Sequence, residues 1–135
     1  MSDAPTSVET SCKQIYTAIG RPWEWDGRFG AVLLTYTKEE EGPVDAGVGA
    51  VFTSTVTSAD VGGAPDNIKA LIDDLGGLRA GQKIMHSDAA GEFVLYGVFW
   101  PWGGGGTISL RIGILAAGGD EAAAVAQLKT AFAVE

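Results

Sequence analysis

The sequence of 135 residues contains little of what catalytic and metal sites require, because it has one cysteine, Cys12, and one histidine, His86. A single cysteine excludes a disulfide within the chain, and these two residues cannot supply the three or four ligands of a zinc site. No apolar run approaches the about 18 residues of a membrane-spanning helix, and residues 1–5 lack the pattern of a secretory signal. The sequence therefore predicts a cytoplasmic protein with no metal ion and no cofactor.

Basic residues are scarce as well, since 9 Lys and Arg stand against 17 Asp and Glu, for a formal net charge of −8. Nucleic-acid binding needs clustered Lys and Arg that displace counterions from phosphates, and an anionic membrane surface likewise attracts basic proteins. The charge therefore argues against nucleic-acid and membrane partners. It favours solubility or a basic protein partner.

Apolar residues recur with the period of helices in three segments and with the period of strands in most of the others. Helices are predicted from a capping box at Thr6–Glu9 to Ile19, from Pro65 to Leu75, and after Asp120. Strands are predicted over Phe29–Thr37, Val48–Thr57, Glu92–Trp100 and Thr107–Leu115, and Gln82–His86 is compatible with a further short strand. The first two strands are expected to form an antiparallel hairpin around the charged turn Lys38–Pro43.

This order of elements, α-β-β-α-(β)-β-β-α, predicts the α+β class. Short connections between strands imply an antiparallel sheet, and amphipathic helices need a sheet face to cover. We therefore expect a two-layer arrangement with an antiparallel sheet of about four to five strands covered by amphipathic helices. Residues 1–5 are expected to form a disordered leader and residues 6–135 a single domain.

Nucleophilic catalysis would need an activated Ser or Cys within reach of a base. A Cys12–His86 pair is compatible with this chemistry, but Cys12 lies on the apolar stripe of the first helix, where a small buried side chain is the usual role. Carboxylate pairs for glycoside hydrolysis arise by chance in so acidic a chain, from Glu24, Asp26, Glu92 and Asp120. The sequence therefore predicts a protein that is not an enzyme.

Two further motifs have simpler explanations than ligand binding. Strand-like residues follow Gly103–Gly106 where a phosphate loop would have a helix N-terminus, so a hairpin tip is favoured. Glu39–Glu41 and Asp73–Asp74 lack the alternating oxygen ligands of a calcium loop, and solvated charge runs are the expected role.

All four tryptophans lie in two Trp-x-Trp triplets, residues 23–25 and 100–102. Residues i and i+2 of an extended backbone point to the same side, so each triplet can place two indoles on one surface. Core packing is one interpretation and is favoured for the first pair; a protein-binding seam and a ligand platform are the others. Pro101 favours a contact surface, because it directs the second triplet to a strand end or a sheet edge.

The element order resembles two known groups of non-enzymatic proteins. The helix that ends at Ile19–Gly20 and the strand Phe29–Thr37 are similar to the layout of class I type III secretion chaperones, which are small acidic α+β dimers that bind an effector segment. The layout also resembles the roadblock/longin-like fold, in which a sheet between helices forms a dimeric scaffold. Both resemblances concern layout and no motif, and the low leucine content and the glycine-rich tip depart from the chaperone pattern.

The strand Phe93–Trp100 is apolar on both faces, as expected for a strand that is covered on both sides or paired at an interface. With the tryptophans it supplies a predicted interaction surface that consists of Trp23, Trp25, Tyr96, Phe99, Trp100 and Trp102. We expect a non-catalytic protein-interaction domain that binds a protein partner or self-associates as a homodimer. The alternative is a binding protein for a sugar or a flat aromatic molecule, or a minor enzyme, that uses a Trp-lined cleft.

Overall fold

The computed structural model describes residues 4–27, 30–49, 51–52, 54–78, 81–86, 93–101, 106–116 and 121–134. The helices are α1 (Ala4–Ile19), α2 (Glu41–Gly49), α3 (Asp66–Asp74) and α4 (Glu121–Ala131). The strands are β1 (Glu24–Asp26), β2 (Ala31–Thr37), β3 (Ser54–Thr57), β4 (Lys83–His86), β5 (Phe93–Pro101) and β6 (Thr107–Ala116). Short 3-10 turns lie at Lys38–Glu40 and Val61–Gly63.

The six strands form one antiparallel sheet in the order β1-β2-β6-β5-β4-β3. The long strands β5 and β6 pair over their whole length at its centre, with β2 on one side and β4 on the other. The predicted α+β class and the antiparallel sheet covered by amphipathic helices are confirmed, with six strands in place of four to five.

Helices α1, α2 and α4 cover one side of the sheet, which we call the first face. Its core combines side chains of these helices with alternate residues of β2 and β6, because every second residue of a strand points to the same side. The helices contribute Cys12, Ile15, Val44, Val48 and Leu128, the turn after α4 contributes Phe132, and the strands contribute Val32, Leu34, Tyr36, Ile108, Leu110 and Ile112.

The opposite side, the second face, is covered by α3. Ile68 and Ile72 of this helix pack against Val56, Ile84 and Val98, which belong to β3, β4 and β5. Strand β5 is thus buried on both faces, since its alternate residues Leu95 and Phe99 belong to the first-face core. The sequence left two explanations for this doubly apolar strand, cover on both sides or pairing at an interface. The structure shows that it is covered on both sides.

The predicted hairpin between Phe29–Thr37 and Val48–Thr57 is wrong. Residues 41–49 form α2, and β3 pairs with β4 at the far edge of the sheet. The Lys38–Pro43 segment, predicted as a turn, contains a 3-10 turn and the start of this helix. Thr37 and Glu40 form a capping box there, in which the Thr37 backbone N–H donates to Oε1 of Glu40 at 3.3 Å.

Packing against α1 explains why residues 41–49 are helical in spite of three glycines. Val44, Gly47 and Val48 are buried and follow the i, i+3, i+4 spacing of one helix face. A Cβ at Gly47 would lie 2.9 Å from Cγ1 of Ile19, so the two helices approach too closely for a side chain at this position. Tertiary contact therefore overrides the low helix propensity of glycine.

The other predicted bounds of helices and strands differ less from those in the structure. Helix α1 begins at Ala4, inside the segment assigned to the leader, and the proposed short strand is confirmed as β4. Pro101 ends β5, so the expectation of a strand end is confirmed, but β5 is central and the sheet-edge alternative is wrong. The predicted N-cap Asp120, residues 103–105 of the glycine-rich tip and Glu92 lie outside the described residues.

Candidate functional site

The six aromatic residues of the predicted interaction surface differ in their exposure. Trp23, Tyr96 and Phe99 are at most 7% exposed. Trp25 and Trp100 are partly exposed, and Trp102 lies outside the described residues. A buried side chain offers little area to a partner, so only Trp25 and Trp100 present part of an indole to solvent in the described part of the chain.

The first tryptophan pair packs on the first face. The ring of Trp23 lies 4.8 Å from that of Phe132, centroid to centroid, at an interplanar angle of 60°. Trp25 is packed against the same core, and Nζ of Lys129 lies 4.7 Å from the centroid of its ring. The core-packing interpretation is therefore confirmed for Trp23, while Trp25 combines partial burial with a cation–π contact.

The second triplet is oriented the other way. Trp100 packs against the second-face core, next to α3, and its directly paired residue is Ser109 of β6. The described members of the two triplets, Trp23, Trp25 and Trp100, therefore lie on opposite sides of the sheet. They do not line a common cleft.

The two residues considered for nucleophilic catalysis also lie on opposite faces. Cys12 is fully buried in the first-face core, whereas His86 borders a wide groove of about 560 Å³ on the second face, beside Ser54, Val56 and Asp60. The sheet separates the two side chains. Within the described ranges, no group of three or more His, Cys, Asp or Glu residues is placed to hold a metal ion.

Helix α3 leaves much of the second face open. Its core contacts are with β3, β4 and β5, and Leu115 of β6 packs against the same core. Among the described residues, no helix covers the rest of β1, β2 and β6 on the second face. We call this three-strand area the open half. Leu33 and Leu115 are partly exposed there and Thr35 is exposed, whereas Val32, the neighbour of Leu33 that points to the first face, is fully buried.

A cleft of about 360 Å³ runs along the border between α3 and the open half, and we call it the α3 cleft. Leu71, Asp74 and Leu75 line it from the helix, and Ala31, Tyr96, Val98 and Arg111 line it from the sheet. Ala31 on β2 is the one small residue among the described residues that line the cleft. The ring of Tyr96 lies over Gly113, where a larger residue would project.

Arg111 and Asp26 form an ion pair beside the α3 cleft. Nε of Arg111 donates to Oδ2 of Asp26 at 2.9 Å, and the two side chains are 18% and 15% exposed. Since Asp26 is on β1 and Arg111 on β6, the pair crosses β2 between them. The contact orients the guanidinium and brings two opposite charges largely out of water, an arrangement that costs desolvation energy.

Tyr96 supplies a polar group to the same cleft. The residue is 6% exposed and lines the cleft. Burial raises the pKa of Tyr96 to about 12, so the phenol is neutral throughout the physiological range. A neutral phenol can both donate and accept a hydrogen bond.

Sequence reasoning missed this cleft because its walls come from α3, β2, β5 and β6, which meet only in the folded chain. One signal was available: Arg111 is the one charged residue within the otherwise uncharged strand β6. A charge in a strand that is central to a sheet needs a partner or a function. The chemistry that the site can perform is recognition, by apolar contact, hydrogen bonding and charge.

Comparison of the chain with models of protein families, with curated proteins and with solved structures finds no match. Among the described residues, no helix has the length and apolar character needed to cross a membrane.

Proposed function

We propose that this chain is a non-catalytic protein-interaction domain that self-associates through the open half of the second face. The observation that carries the proposal is the difference in cover between the two faces of the same three strands. Along β2, Val32 and Leu34 of the first face are buried, whereas Leu33 of the second face is partly exposed and Thr35 is exposed. Partly exposed apolar residues on a sheet face are typical of a contact surface.

A second copy of the chain is a suitable occupant because the open half has the properties of a self-complementary surface. Sheet faces pack on each other at about 10 Å through interdigitating side chains. A two-fold axis through such a contact would place the same leucines, Leu33 and Leu115, in both halves of the interface. Arg111 and Asp26 would lie within it, beside Leu33, with their charges already paired within one protomer.

The area of the open half predicts a weak dimer. Three strands about 4.8 Å apart and about seven residues long cover about 300 Å² in projection. Stable dimers bury about 800 Å² per partner. We therefore expect reversible dimers whose population depends on protein concentration.

Charge distinguishes self-association from the binding of a basic partner. Each chain has a formal net charge of −8, so two copies repel each other at low ionic strength. Added salt screens this repulsion and should strengthen self-association, whereas it should weaken the binding of a basic protein.

The test measures molar mass by light scattering from about 10 μM to about 1 mM protein, a range chosen for a weak interface. Thr35→Glu places a carboxylate at an exposed position of β2 on the open half and should remove the dimer. Thr130→Glu makes the same change at an exposed position of α4 and is the matched control. A monomeric mass at every concentration and salt level, or equal effects of the two variants, would contradict the proposal.

The absence of catalysis, a cytoplasmic location and a chaperone-like role are parts of the same proposal. They rest on the scarcity of nucleophiles and bases in the sequence and on the acidic charge. A chaperone-like role would require a partner protein other than a second copy of this chain. Added salt should weaken the binding of a basic partner and strengthen self-association, so the salt dependence would distinguish the two.

A further inference from the structure

We propose that the α3 cleft binds a small organic cation, an amine with a compact apolar body, whose ammonium group lies beside Asp74 and whose apolar part lies against Leu71, Leu75 and Val98. The inference concerns a different ligand from the self-association above and does not depend on it. It identifies a binding site for a small molecule that none of the sequence motifs predicts.

The size and walls of the cleft suit a compact ligand. Its volume of about 360 Å³ is at the low end of the range of about 300 to 1,000 Å³ for small-molecule pockets. Leu71 and Leu75 are partly exposed on the helix side, and Val98 is buried on the sheet side. An apolar group between these side chains would remove their remaining exposed area from water.

The helix side of the cleft has negative potential. Asp74 is the last residue of α3 and lines the cleft, and none of the residues in the last turn of this helix is basic. The C-terminus of a helix carries a partial negative charge, so a carboxylate there is unfavourable unless a cation lies nearby. A ligand ammonium group would relieve this repulsion and pair with Asp74.

Tyr96 provides the second polar contact. It is more than nine-tenths buried and lines the cleft. Its oxygen can accept a hydrogen bond from an ammonium N–H. Such a hydrogen bond to a charged donor would add to the contact with Asp74.

The charges around the cleft favour a cation over an anion. Among the described residues that line it, Arg111 is the one cationic residue, and its Nε already donates to Asp26. With Asp74 and Asp26 there are two carboxylates for one guanidinium, and the whole chain has a net charge of −8. A ligand carboxylate would compete with Asp26 for Arg111 and would be repelled by Asp74.

The experiment compares three probes of similar shape by calorimetric titration and by chemical-shift changes of the leucine methyl groups. The probes are 2-phenylethylamine, the neutral 2-phenylethanol and the anionic 3-phenylpropionate. We expect saturable binding of the amine with shifts at Leu71 and Leu75, and binding at least about fivefold weaker for the other two. Tighter binding of the carboxylate, or no saturable binding of the amine, overturns the proposal.

Variants locate the charge contact. Asp74→Asn should weaken amine binding about tenfold, since it removes a charged hydrogen-bond acceptor. Asp73→Asn makes the same charge change on the adjacent exposed residue, which does not line the cleft, and should weaken binding less than about twofold. Equal losses in the two variants would show general attraction to an acidic protein, and they would overturn the site.

Tyr96→Phe keeps the ring and removes only the hydroxyl, so it should weaken amine binding about threefold while the protein stays folded. Unchanged binding in this variant would overturn the role of Tyr96. Light scattering with and without the amine keeps the two proposals separate, because a failed dimer test leaves the amine titration unaffected.

Discussion

The ring of Tyr96 on β5 lies over Gly113, the residue directly opposite it on β6. A Cβ at position 113 would lie 2.5 Å from Cζ and 2.8 Å from Cε2 of the ring, closer than two unbonded carbons approach. The tyrosine thus occupies the space that a side chain on β6 would need. Tyr96 also lines the α3 cleft.

Gly113→Ala should therefore destabilise the protein by about 2 kcal/mol, because the ring of Tyr96 has to leave its position. Chemical denaturation measures the change in the free energy of unfolding. Gly106→Ala is the control, since a Cβ there meets no atom within 4 Å, and it should change stability by less than about 0.5 kcal/mol. In the Tyr96→Val background the cost of Gly113→Ala should shrink; an additive double variant would refute the steric explanation.

Stability should fall at alkaline pH because of buried tyrosine. Burial raises the pKa of Tyr96 to about 12 in the folded protein, whereas an unfolded chain ionises its tyrosines near pH 10. Between these values the folded state binds more protons than the unfolded state. The contribution of the protonated Tyr96 to the free energy of unfolding is complete below about pH 10. It is lost as the pH rises to about 12, at up to about 1.4 kcal/mol per pH unit.

Denaturation at several pH values, with tyrosinate absorbance as a second readout, measures this loss. Tyr96→Phe should reduce the slope between about pH 10 and pH 12 without abolishing it. Tyr36 contributes in the same direction, because burial, Asp45 and Glu41 all raise its pKa. Ionisation of Tyr96 near pH 10 in the folded protein would contradict the expected burial effect.

The Arg111–Asp26 pair should couple more strongly than a surface ion pair. A double-mutant cycle with Arg111→Gln and Asp26→Asn should give a coupling energy of about 1 to 2 kcal/mol, since both side chains are largely buried. Arg21 and Glu40 form an ion pair whose side chains are 40% and 39% exposed, and they are the internal control. Their cycle should give less than about 1 kcal/mol and should respond more to salt.

Local patterns predicted the elements whose side-chain period is regular over many residues. The i, i+3, i+4, i+7 spacing of Ile68, Leu71, Ile72 and Leu75 identified α3. The alternation along residues 107–115 identified β6 together with the residues that face the first-face core. These periods are properties of a single segment, so no knowledge of its neighbours was needed.

Residues 41–57 show where local reasoning fails. The apolar residues Val48, Phe52 and Val56 fit the period of two of a strand, and this pattern predicts one strand over the whole segment. In the structure, α2 ends at Gly49 and β3 begins at Ser54. The structure has a capping box at Thr37–Glu40, which sequence reasoning did not identify. Packing of Gly47 against Ile19 decided between the two patterns, and that contact joins helices far apart in sequence.

The sequence by itself determined the α+β class, the acidic charge, the scarcity of nucleophiles and metal ligands, and the same-side placement of Trp23 and Trp25. All of these follow from composition or from the period of one segment. Only the tertiary structure decided the strand order, the opposite faces taken by Trp25 and Trp100, the half-covered second face and the α3 cleft. The physical reason is that these features depend on which segments pack together, and packing energy is shared among residues that the sequence keeps apart.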